Sequence, residues 1–414
     1  MIETKENPER VLLVGVESSE NAEKFRSALE ELASLAVTAG AEVAALATQK
    51  LEKPNARTYV GTGKLEELAM TVDAREIDTV IFNARLSPRQ NMALEEALGV
   101  KVIDRMQLIL DIFAMRARSQ EGMLQVEQAQ LMYLKPRLAG HGIALSRQAG
   151  GIGSKGPGES KLETDRRHIQ ARIEDIERKL KKIEKSREIA RKKRLESGIF
   201  KIGLIGYTNA GKSSILNALV DTKQQQYEKN ELFATLDATT KLIRLKDEFT
   251  VALTDTVGFI QDLPTELIKA FKSTLEESAN VDLLVHVIDA SNPYHEAHER
   301  TVQQLLSELE MDKIPQLTIY NKMDLAPEDF AYTITPAVEM SIKSENGPMV
   351  FRQSVLSELN KLFVKFDKEI PYTLAYKLPD LRQIALIENV EEGETAYRVT
   401  GKIAPQQLWK LEKL

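Results

Sequence analysis

One segment constrains the fold of this chain more than any other: an apolar strand that leads through a glycine-rich turn into a helix. Its sequence, IFKIGLIGYTNAGKSSILNAL, predicts a strand at residues 199–205 and matches the pattern G-x-x-x-x-G-K-[ST]. The glycines of such a loop let backbone N–H groups surround the α- and β-phosphates of a nucleotide, aided by the positive end of the helix dipole. The pattern also occurs by chance, but the flanking strand and helix favour a P-loop in a doubly wound α/β domain. The matched positions are Gly206, Gly211, Lys212 and Ser213.

Two more segments would complete a phosphate site around this loop. Lys212 is expected to reach the β- and γ-phosphates, and the Ser213 hydroxyl to bind Mg²⁺. In VALTDTVGFI, Asp255 ends a predicted strand and would hold Mg²⁺ through water, while the N–H of Gly258 would contact the γ-phosphate. The segment ELFATLDATTK, residues 231–241, stands where a first switch loop belongs. Such loops order around the γ-phosphate and relax after its hydrolysis, so the motifs predict a conformational switch.

The switch segment contains several hydroxyl groups that could contact Mg²⁺. Thr235 is the predicted ligand, and Thr239 and Thr240 remain alternatives on sequence grounds.

A separate motif indicates which base is bound. QLTIYNKMD places Asn321, Lys322 and Asp324 directly after an apolar strand. A carboxylate there can accept hydrogen bonds from N1–H and N2–H₂ of guanine, groups that adenine does not present, and a site built to pair polar edges rejects the wrong base strongly. In AVEMSIK, Ser341 to Lys343 form a loop whose backbone would cover the guanine oxygen. The motifs together predict GTP and GDP as ligands.

The remaining sequence predicts further domains, because 414 residues exceed one ordinary core. Before residue 105, the strand-like runs RVLLVGV, VAALAT, TVIF and KVID alternate with helical patterns, which favours a small α/β domain with a parallel sheet. At the end of the chain, LPDLRQIALIENV, TAYRVTGKI and PQQLWKLEKL suggest helix, strand and helix. The predicted parts are an N-terminal α/β domain at 1–104, a helical hairpin at 105–196, the GTPase domain at 197–365 and a small α+β domain at 366–414.

The hairpin rests on a narrow apolar seam. Residues 105–138 look helical, and apolar residues of the next helix recur at steps of three, four and seven, which is typical of an antiparallel helical pair. Between the helices lies a loop at residues 140–158 with seven glycines and no acidic residue. A loop of this kind is either disordered in isolation or functional. The seam consists of Leu162, Ile169, Ile173, Ile176, Leu180 and Ile183.

Charge is distributed unevenly along the chain. The net charge is −6, yet residues 135–194 contain 18 Lys and Arg against 8 Asp and Glu. This basic region is either a solvated helical face or a surface for a polyanion. The chain has no cysteine, its N-terminus lacks an apolar signal region, and no apolar run is long enough to span a bilayer. These features predict a cytoplasmic protein.

Three weaker motifs do not predict sites. Gly151 to Gly156 matches G-x-G-x-x-G but follows no strand, and GTGK at 61–64 lacks the first glycine of a P-loop. His295 and His298 stand three apart on a predicted helix without a nearby third metal ligand, so surface histidines are the better interpretation.

The chain resembles the HflX GTPases over roughly residues 10–365. The resemblance rests on TYVGTGKLEEL, LSRQAGGIGSKGPGESKLETDRR, GYTNAGKSS, LFATLDATT, DTVGFIQDLP and AFKSTLEE. The chain departs from the family pattern at Ala238, where proline is usual, at Ala149, where glycine is common, and at Ile342, where GTPases often have alanine. The first departure bears on the stiffness of the switch loop.

The resemblance implies a cytoplasmic GTPase that binds the large (50S) ribosomal subunit and splits stalled or idle ribosomes, acting as a monomer. It implies that the hairpin loop approaches the peptidyl-transferase region, so Arg147 and Lys155 are expected to contact 23S rRNA. It also implies a nucleotide site made of Gly206, Tyr207, Thr208, Asn209, Ala210, Gly211, Lys212, Ser213, Phe233, Ala234, Thr235, Leu236, Asp237, Asp255, Thr256, Val257, Gly258, Asn321, Lys322, Met323, Asp324, Ser341, Ile342 and Lys343.

One catalytic part is missing from the motifs. Many GTPases have a glutamine after D-x-x-G to position the attacking water, but here the residue is Phe259, and Gln261 lies two residues further on. Lys212, Thr235, Gly258 and Asn209 are therefore the predicted catalytic residues. Asn209 resembles the asparagine with which some GTPases hold K⁺, an ion that can supply the charge of an arginine finger.

Two alternative functions remain open from sequence. The protein could bind or store a ribosomal subunit through GTP, in biogenesis for example, without splitting ribosomes. It could also be an NTP-driven enzyme that remodels rRNA, although the NKMD motif argues against broad NTP use.

The base assignment leads to a first prediction. Asp324→Asn should weaken GTP binding and favour xanthosine triphosphate, because its base carries a carbonyl at position two. Affinities for both nucleotides, measured by competition, check the expectation. Unchanged affinity of the variant for GTP would show that Asp324 does not contact the base.

Overall fold

The computed structural model describes residues 8–17, 22–138, 157–220, 239–256, 258–259 and 281–412, except for the side chains of 157–162 and 187–197. The described residues divide into two compact units, the first up to residue 183 and the second from 184 onward. Among the helices that these ranges contain, none is both long and apolar enough to cross a membrane.

A four-stranded parallel sheet forms the centre of the first unit, with the strand order β2-β1-β3-β4. All four residues of β3 are buried, as expected for a parallel strand that is covered on both faces. The parallel α/β sheet predicted from the alternating pattern is confirmed. The strands are β1 (Arg10–Glu17), β2 (Glu42–Lys50), β3 (Thr79–Phe82) and β4 (Lys101–Asp104).

Helices α2 and α3 contribute Leu68 and Leu94 to one core of this sheet, where they meet Phe82. Helices α1 and α4 contact each other, and Leu32 of α1 is fully buried. The helices are α1 (Ala22–Thr38), α2 (Thr62–Arg75), α3 (Pro88–Leu98) and α4 (Arg105–Arg116).

The predicted hairpin consists of α5 (Gln120–Leu134) and the long α6 (Pro157–Ser197). The first arm is not continuous: α4 ends at Arg116, and α5 begins after Ser119, whose hydroxyl accepts a hydrogen bond from the N–H of Gly122 at 2.9 Å. Gln128 contacts Glu177, and Lys135 contacts Gln170, so α5 and α6 run antiparallel. Of the apolar seam, Ile173 and Ile176 are the most buried.

The second unit contains a six-stranded sheet with the order β10-β9-β8-β5-β7-β6, in which only β6 pairs antiparallel to its neighbour. From β5 the chain continues to one side through β7, and it then crosses to β8 on the other side. The strands are β5 (Phe200–Ile205), β6 (Thr239–Lys246), β7 (Phe249–Asp255), β8 (Leu283–Asp289), β9 (Gln316–Asn321) and β10 (Val338–Glu339), and the helices are α7 (Lys212–Leu219), α8 (His295–Glu308) and α9 (Gly347–Leu362).

A small antiparallel sheet of order β11-β13-β12 ends the chain. The interpretation of LPDLRQIALIENV as one helix was wrong in its second half, because the helix ends at Ile384 and the remainder pairs with β13. Cross-strand pairing, which the isolated segment cannot show, outweighs local helix propensity there. The elements are β11 (Val364–Pro371), α10 (Leu378–Ile384), β12 (Ala385–Glu392), β13 (Ala396–Ile403) and α11 (Leu408–Leu411).

A buried ion pair ties the end of the first hairpin arm to the parallel sheet. Asp104, the last residue of β4, is fully buried and accepts hydrogen bonds from the N–H groups of Leu86 and Gln107 at 3.0 and 2.9 Å. Its carboxylate also pairs with Arg137 at 2.9 Å, and the Arg137 guanidinium lies 3.5 Å from the centre of the Tyr133 ring. The chain therefore enters the glycine-rich loop from a fixed point.

Removing this cation should destabilise the protein. Arg137→Ala leaves the Asp104 carboxylate buried without a counter-charge, and we expect the free energy of unfolding to fall by about 3 kcal/mol. Urea unfolding measures the change. The control is Arg167→Ala, which removes an exposed pair with Glu163 and should cost less than about 0.5 kcal/mol. Similar losses in the two variants would contradict the importance of the buried pair.

Candidate nucleotide site

The predicted site residues lie at the carboxyl edge of the six-stranded sheet. Gly206 follows β5, Asp255 ends β7, and Asn321 ends β9. Strands β5 and β8 are neighbours, and the chain leaves them toward opposite sides of the sheet. A crevice at such a switch point is where open α/β sheets bind their ligands.

Two glycines of the P-loop are required by the space around them. A Cβ on Gly206, whose φ is +149°, would lie 2.2 Å from the carbonyl oxygen of Val287 in the adjacent strand. A Cβ on Gly211, whose φ is +99°, would lie 2.3 Å from the side-chain nitrogen of Asn321. Asn209 is exposed and also left-handed, with φ +61°, a conformation that asparagine tolerates better than most residues. The loop therefore presses directly on β8 and on the end of β9.

The lysine of the P-loop is a buried cation. Its ammonium donates hydrogen bonds to the carbonyl oxygens of Gly206 and Tyr207 at 3.0 and 2.7 Å, and the residue is 5% exposed. Burial lowers the pKa of Lys212 to about 8, although Asp255 acts in the opposite direction. An anion placed beside this ammonium would restore the charged form, which is the electrostatic condition for holding a phosphate.

Oxygen donors suited to a hard cation lie next to this lysine. The Ser213 hydroxyl donates to Asp255 at 2.6 Å, and the carboxylate of Asp255 is buried. Hydroxyl and carboxylate oxygens are the ligands that Mg²⁺ prefers. Of the alternative threonines, Thr239 pairs with Asp255 across β6 and β7, and the Thr240 hydroxyl lies 2.9 Å from that of Thr254.

The segment after Asp255 is joined to the P-loop through its backbone. The N–H of Thr208 donates to the carbonyl of Phe259 at 2.8 Å, and the N–H of Phe259 donates to the carbonyl of Gly206 at 3.2 Å. The Phe259 side chain is 3% exposed. Its ring is packed in the protein interior and has no polar atom with which to hold a water molecule.

At the other end of the crevice, the side chain of Asn321 connects three segments. Its amide nitrogen donates to the carbonyl of Ala210 in the P-loop at 2.9 Å, and its amide oxygen accepts from the N–H of Ile342 at 3.0 Å. A short 3₁₀ helix, Met323–Leu325, follows, with Asp324 exposed on it. The carboxylate of Asp324 is therefore accessible beside the loop of residues 341–343.

Two contacts at this edge involve residues that sequence reasoning did not select. Lys322 pairs with Asp289, the last residue of β8, at 2.7 Å. The ring of His298 stacks on that of Tyr207, with centroids 3.6 Å apart and planes 2° apart. An acidic residue at the end of the apolar run LLVHVID was a signal for Asp289, since strand ends surround this crevice. His295 contacts two backbone carbonyls, those of Asn292 and Ala331.

The predicted nucleotide-site residues fall into two groups. The structure brings together at this edge Gly206, Tyr207, Thr208, Asn209, Ala210, Gly211, Lys212, Ser213, Asp255, Thr256, Gly258, Asn321, Lys322, Met323, Asp324, Ser341, Ile342 and Lys343. Outside the described residues lie Phe233, Ala234, Thr235, Leu236, Asp237 and Val257, together with Arg147 and Lys155 of the hairpin loop.

Three family models match the chain in succession. They are described as GTP-binding GTPase N-terminal at residues 26–114, GTP-binding GTPase Middle Region at 116–194 and 50S ribosome-binding GTPase at 201–322. A GTPase HflX of Alkalihalophilus pseudofirmus is 47% identical over 396 residues, which cover 95% of this chain and 93% of that one. A GTPase HflX of Escherichia coli K12 is 44% identical over 302 residues, covering 73% and 70%. A solved GTP-binding protein of Sulfolobus solfataricus in complex with GDP is 24% identical, covers 86% of this chain and 99% of its own, and has a TM-score of 0.45.

The His298 stack predicts a pH dependence of stability. Burial lowers the pKa of His298 to about 4, opposed by Asp289 and reinforced by His295. Because the unfolded histidine takes up its proton near pH 6.5 and the folded one near 4, stability is complete above about pH 6.5. It is lost as the pH falls toward 4, by roughly 1–2 kcal/mol.

The variant His298→Phe keeps an aromatic ring that does not titrate. The free energy of unfolding, measured in urea at pH 8, 7, 6 and 5, should therefore fall less steeply for the variant than for the wild type. Equal slopes for the two proteins would rule out this origin.

Proposed function

The chain belongs to the HflX family of GTPases, and on that premise we propose that it binds the 50S ribosomal subunit and dissociates stalled or idle 70S ribosomes. GTP hydrolysis to GDP would serve as the conformational switch. The observation that carries the proposal is the combination, in one chain, of a P-loop tied by Asn321 to a guanine-reading loop and a hairpin with a strongly basic arm.

The nucleotide half of the proposal follows from the geometry of the crevice. Lys212 would hold the β- and γ-phosphates, and Asp324 would read guanine. Mg²⁺ would be held by Ser213 and Thr235, with Asp255 acting through water, and would neutralise charge on the phosphates. Since Phe259 cannot position a water molecule, turnover by the isolated protein would be slow.

The ribosome half rests on the charge of the hairpin. On α6, Arg178, Lys181 and Lys185 are exposed, and residues 178–194 contain ten basic and two acidic residues. A surface of this charge attracts the phosphate backbone of RNA, and 23S rRNA is the partner it would meet on the 50S subunit. The description 50S ribosome-binding GTPase of the matching family model supports this partner. The protein would act in the cytoplasm as a monomer.

The first experiment separates the nucleotide site from the hairpin loop. In the double variant Arg147→Ala and Lys155→Ala, intrinsic GTP turnover should be unchanged, because these residues would contact rRNA and not GTP. Splitting of 70S ribosomes on sucrose gradients, and stimulation of turnover by 50S subunits, should fall.

The control for this experiment is the double variant Lys313→Ala and Lys361→Ala, which removes the same charge from exposed positions of the second unit. It should split ribosomes normally. Loss of intrinsic turnover in the loop variant would place the loop in the active site. Subunit binding without splitting by the wild type would favour storage or biogenesis.

A second experiment concerns how the γ-phosphate is cleaved. Turnover should be low for the protein alone, rise by orders of magnitude with 50S subunits, and be higher in KCl than in NaCl if Asn209 helps to hold K⁺ near the phosphates. Asn209→Ala should remove only the preference for K⁺. Phosphate release measures all three effects. Fast turnover without ribosomes in sodium buffer would show that another group positions the water.

A further inference from the structure

Asp289 stands between the two halves of the nucleotide crevice. It is the last residue of β8, and β8 lies between β5, which leads into the P-loop, and β9, which leads into the guanine-reading loop. In the sheet its Cα pairs with that of Asn321. No sequence motif of the P-loop fold that we identified includes this position, yet its side chain is directed along the same edge.

Both carboxylate oxygens of Asp289 have defined partners. One accepts a hydrogen bond from the ammonium of Lys322 at 2.7 Å. The other accepts from the N–H of Ser291 at 3.1 Å and from its hydroxyl at 2.6 Å. The side chains of Asp289 and Lys322 are 14% and 23% exposed, so the pair is shielded more than a surface ion pair and its attraction is stronger.

The backbone of Lys322 is also constrained. Its φ of +63° is left-handed, which costs a non-glycine residue on the order of 1 kcal/mol or more and persists only where neighbouring contacts impose it. The fixed Asp289 carboxylate at one end and the strained backbone at the other leave the lysine stem little freedom.

The surroundings make Lys322 the cation that balances Asp289. His298 also feels the charge of Asp289, but burial keeps its imidazole neutral at physiological pH, with a pKa of about 4. The neutral ring is stacked on Tyr207 of the P-loop. Asp289, His298 and Tyr207 therefore line the side of the crevice that joins the phosphate end to the base end.

We propose that Asp289 is a positioning residue for guanine-nucleotide binding: its carboxylate anchors the Lys322 ammonium and thereby fixes the lysine stem along the wall where the base lies. This inference rests on the proposed assignment of Asn321, Lys322 and Asp324 to the base. Without the carboxylate, Lys322 regains rotamer freedom and its ammonium is drawn toward the nucleotide phosphates. Since GDP and GTP share the base end, both should lose affinity equally.

The test compares Asp289→Asn with Lys322→Met and with the double variant. Asparagine keeps the size of the side chain and can still accept from Ser291, but it lacks the charge that holds Lys322. For Asp289→Asn, the dissociation constants of GDP and of GTP should each rise about tenfold, as expected for one charge-assisted hydrogen bond. The kcat at saturating GTP should stay at the wild-type value, because the contact is remote from the γ-phosphate.

The double variant distinguishes a positioning role from a structural one. If Asp289 acts through Lys322, Asp289→Asn should add little to the loss already caused by Lys322→Met. The control is Glu296→Gln, which removes an exposed ion pair with Arg300 on α8 and should change neither affinity. Thermal unfolding of every variant shows whether the fold is retained.

Several outcomes would overturn the proposal: independent, additive losses from the two substitutions, a loss confined to GTP, or a fall in kcat at unchanged affinity. Asp324→Asn is measured in parallel. If that variant leaves the preference for guanine intact, the assignment of the base end fails and this inference fails with it. If Asp324→Asn behaves as expected but the two losses add, only the role of Asp289 is wrong.

Discussion

The buried amide of Asn321 is the contact on which the nucleotide edge depends. A parallel sheet leaves the loops after its strands to be organised by side chains, since loop backbones have few partners of their own. Asn321 provides a donor to the P-loop carbonyl of Ala210 and an acceptor to the N–H of Ile342, and it does so with 1% of its surface exposed. The close approach of this side chain to Gly211 explains why the loop has glycine there. Phosphate and base subsites are thus placed by one group.

Charge is distributed along this edge in a way that suits a polyanionic ligand. Lys212 is buried under its own loop with its ammonium on two carbonyls, whereas Lys322 is neutralised by Asp289. The first lysine gains most from an arriving phosphate, because its burial is only partly compensated by Asp255. The second is already paired and serves as a fixed wall. Two lysines of one site therefore have different functions because of their neighbours.

The same edge lacks the part that would make it an efficient hydrolase alone. Phe259 uses its backbone to join the P-loop and buries its ring in the interior, so no side chain at that position can orient water. GTP hydrolysis is the reaction of the family to which the chain belongs. Dependence on a partner follows if the missing orientation is supplied from outside, which is the physical basis for proposing the ribosome as activator. Similarly, the pair of Asp104 and Arg137 gives the hairpin loop a fixed origin on the first unit.

The sequence by itself determined the parts of this protein whose physics is local. The P-loop could be predicted because strand, glycine turn and helix are contiguous, and the base-reading motif because its polar residues directly follow an apolar strand. Alternating patterns were sufficient for the parallel α/β sheet of the first unit. The break at residues 117–119 and strand β12 were not predicted, since a helix start at Ser119 and a strand paired with β13 depend on contacts outside the segment.

Only the tertiary structure decided which side chains meet across the crevice. Asp289 and Lys322 are 33 residues apart, as are Asp104 and Arg137, and no periodicity relates them. Tyr207 and His298 are brought face to face by the packing of α8 beside the P-loop, and in the sequence His298 resembled half of a surface pair. Charge pairing and ring stacking act over a few ångströms of space, whereas sequence patterns record only distance along the chain.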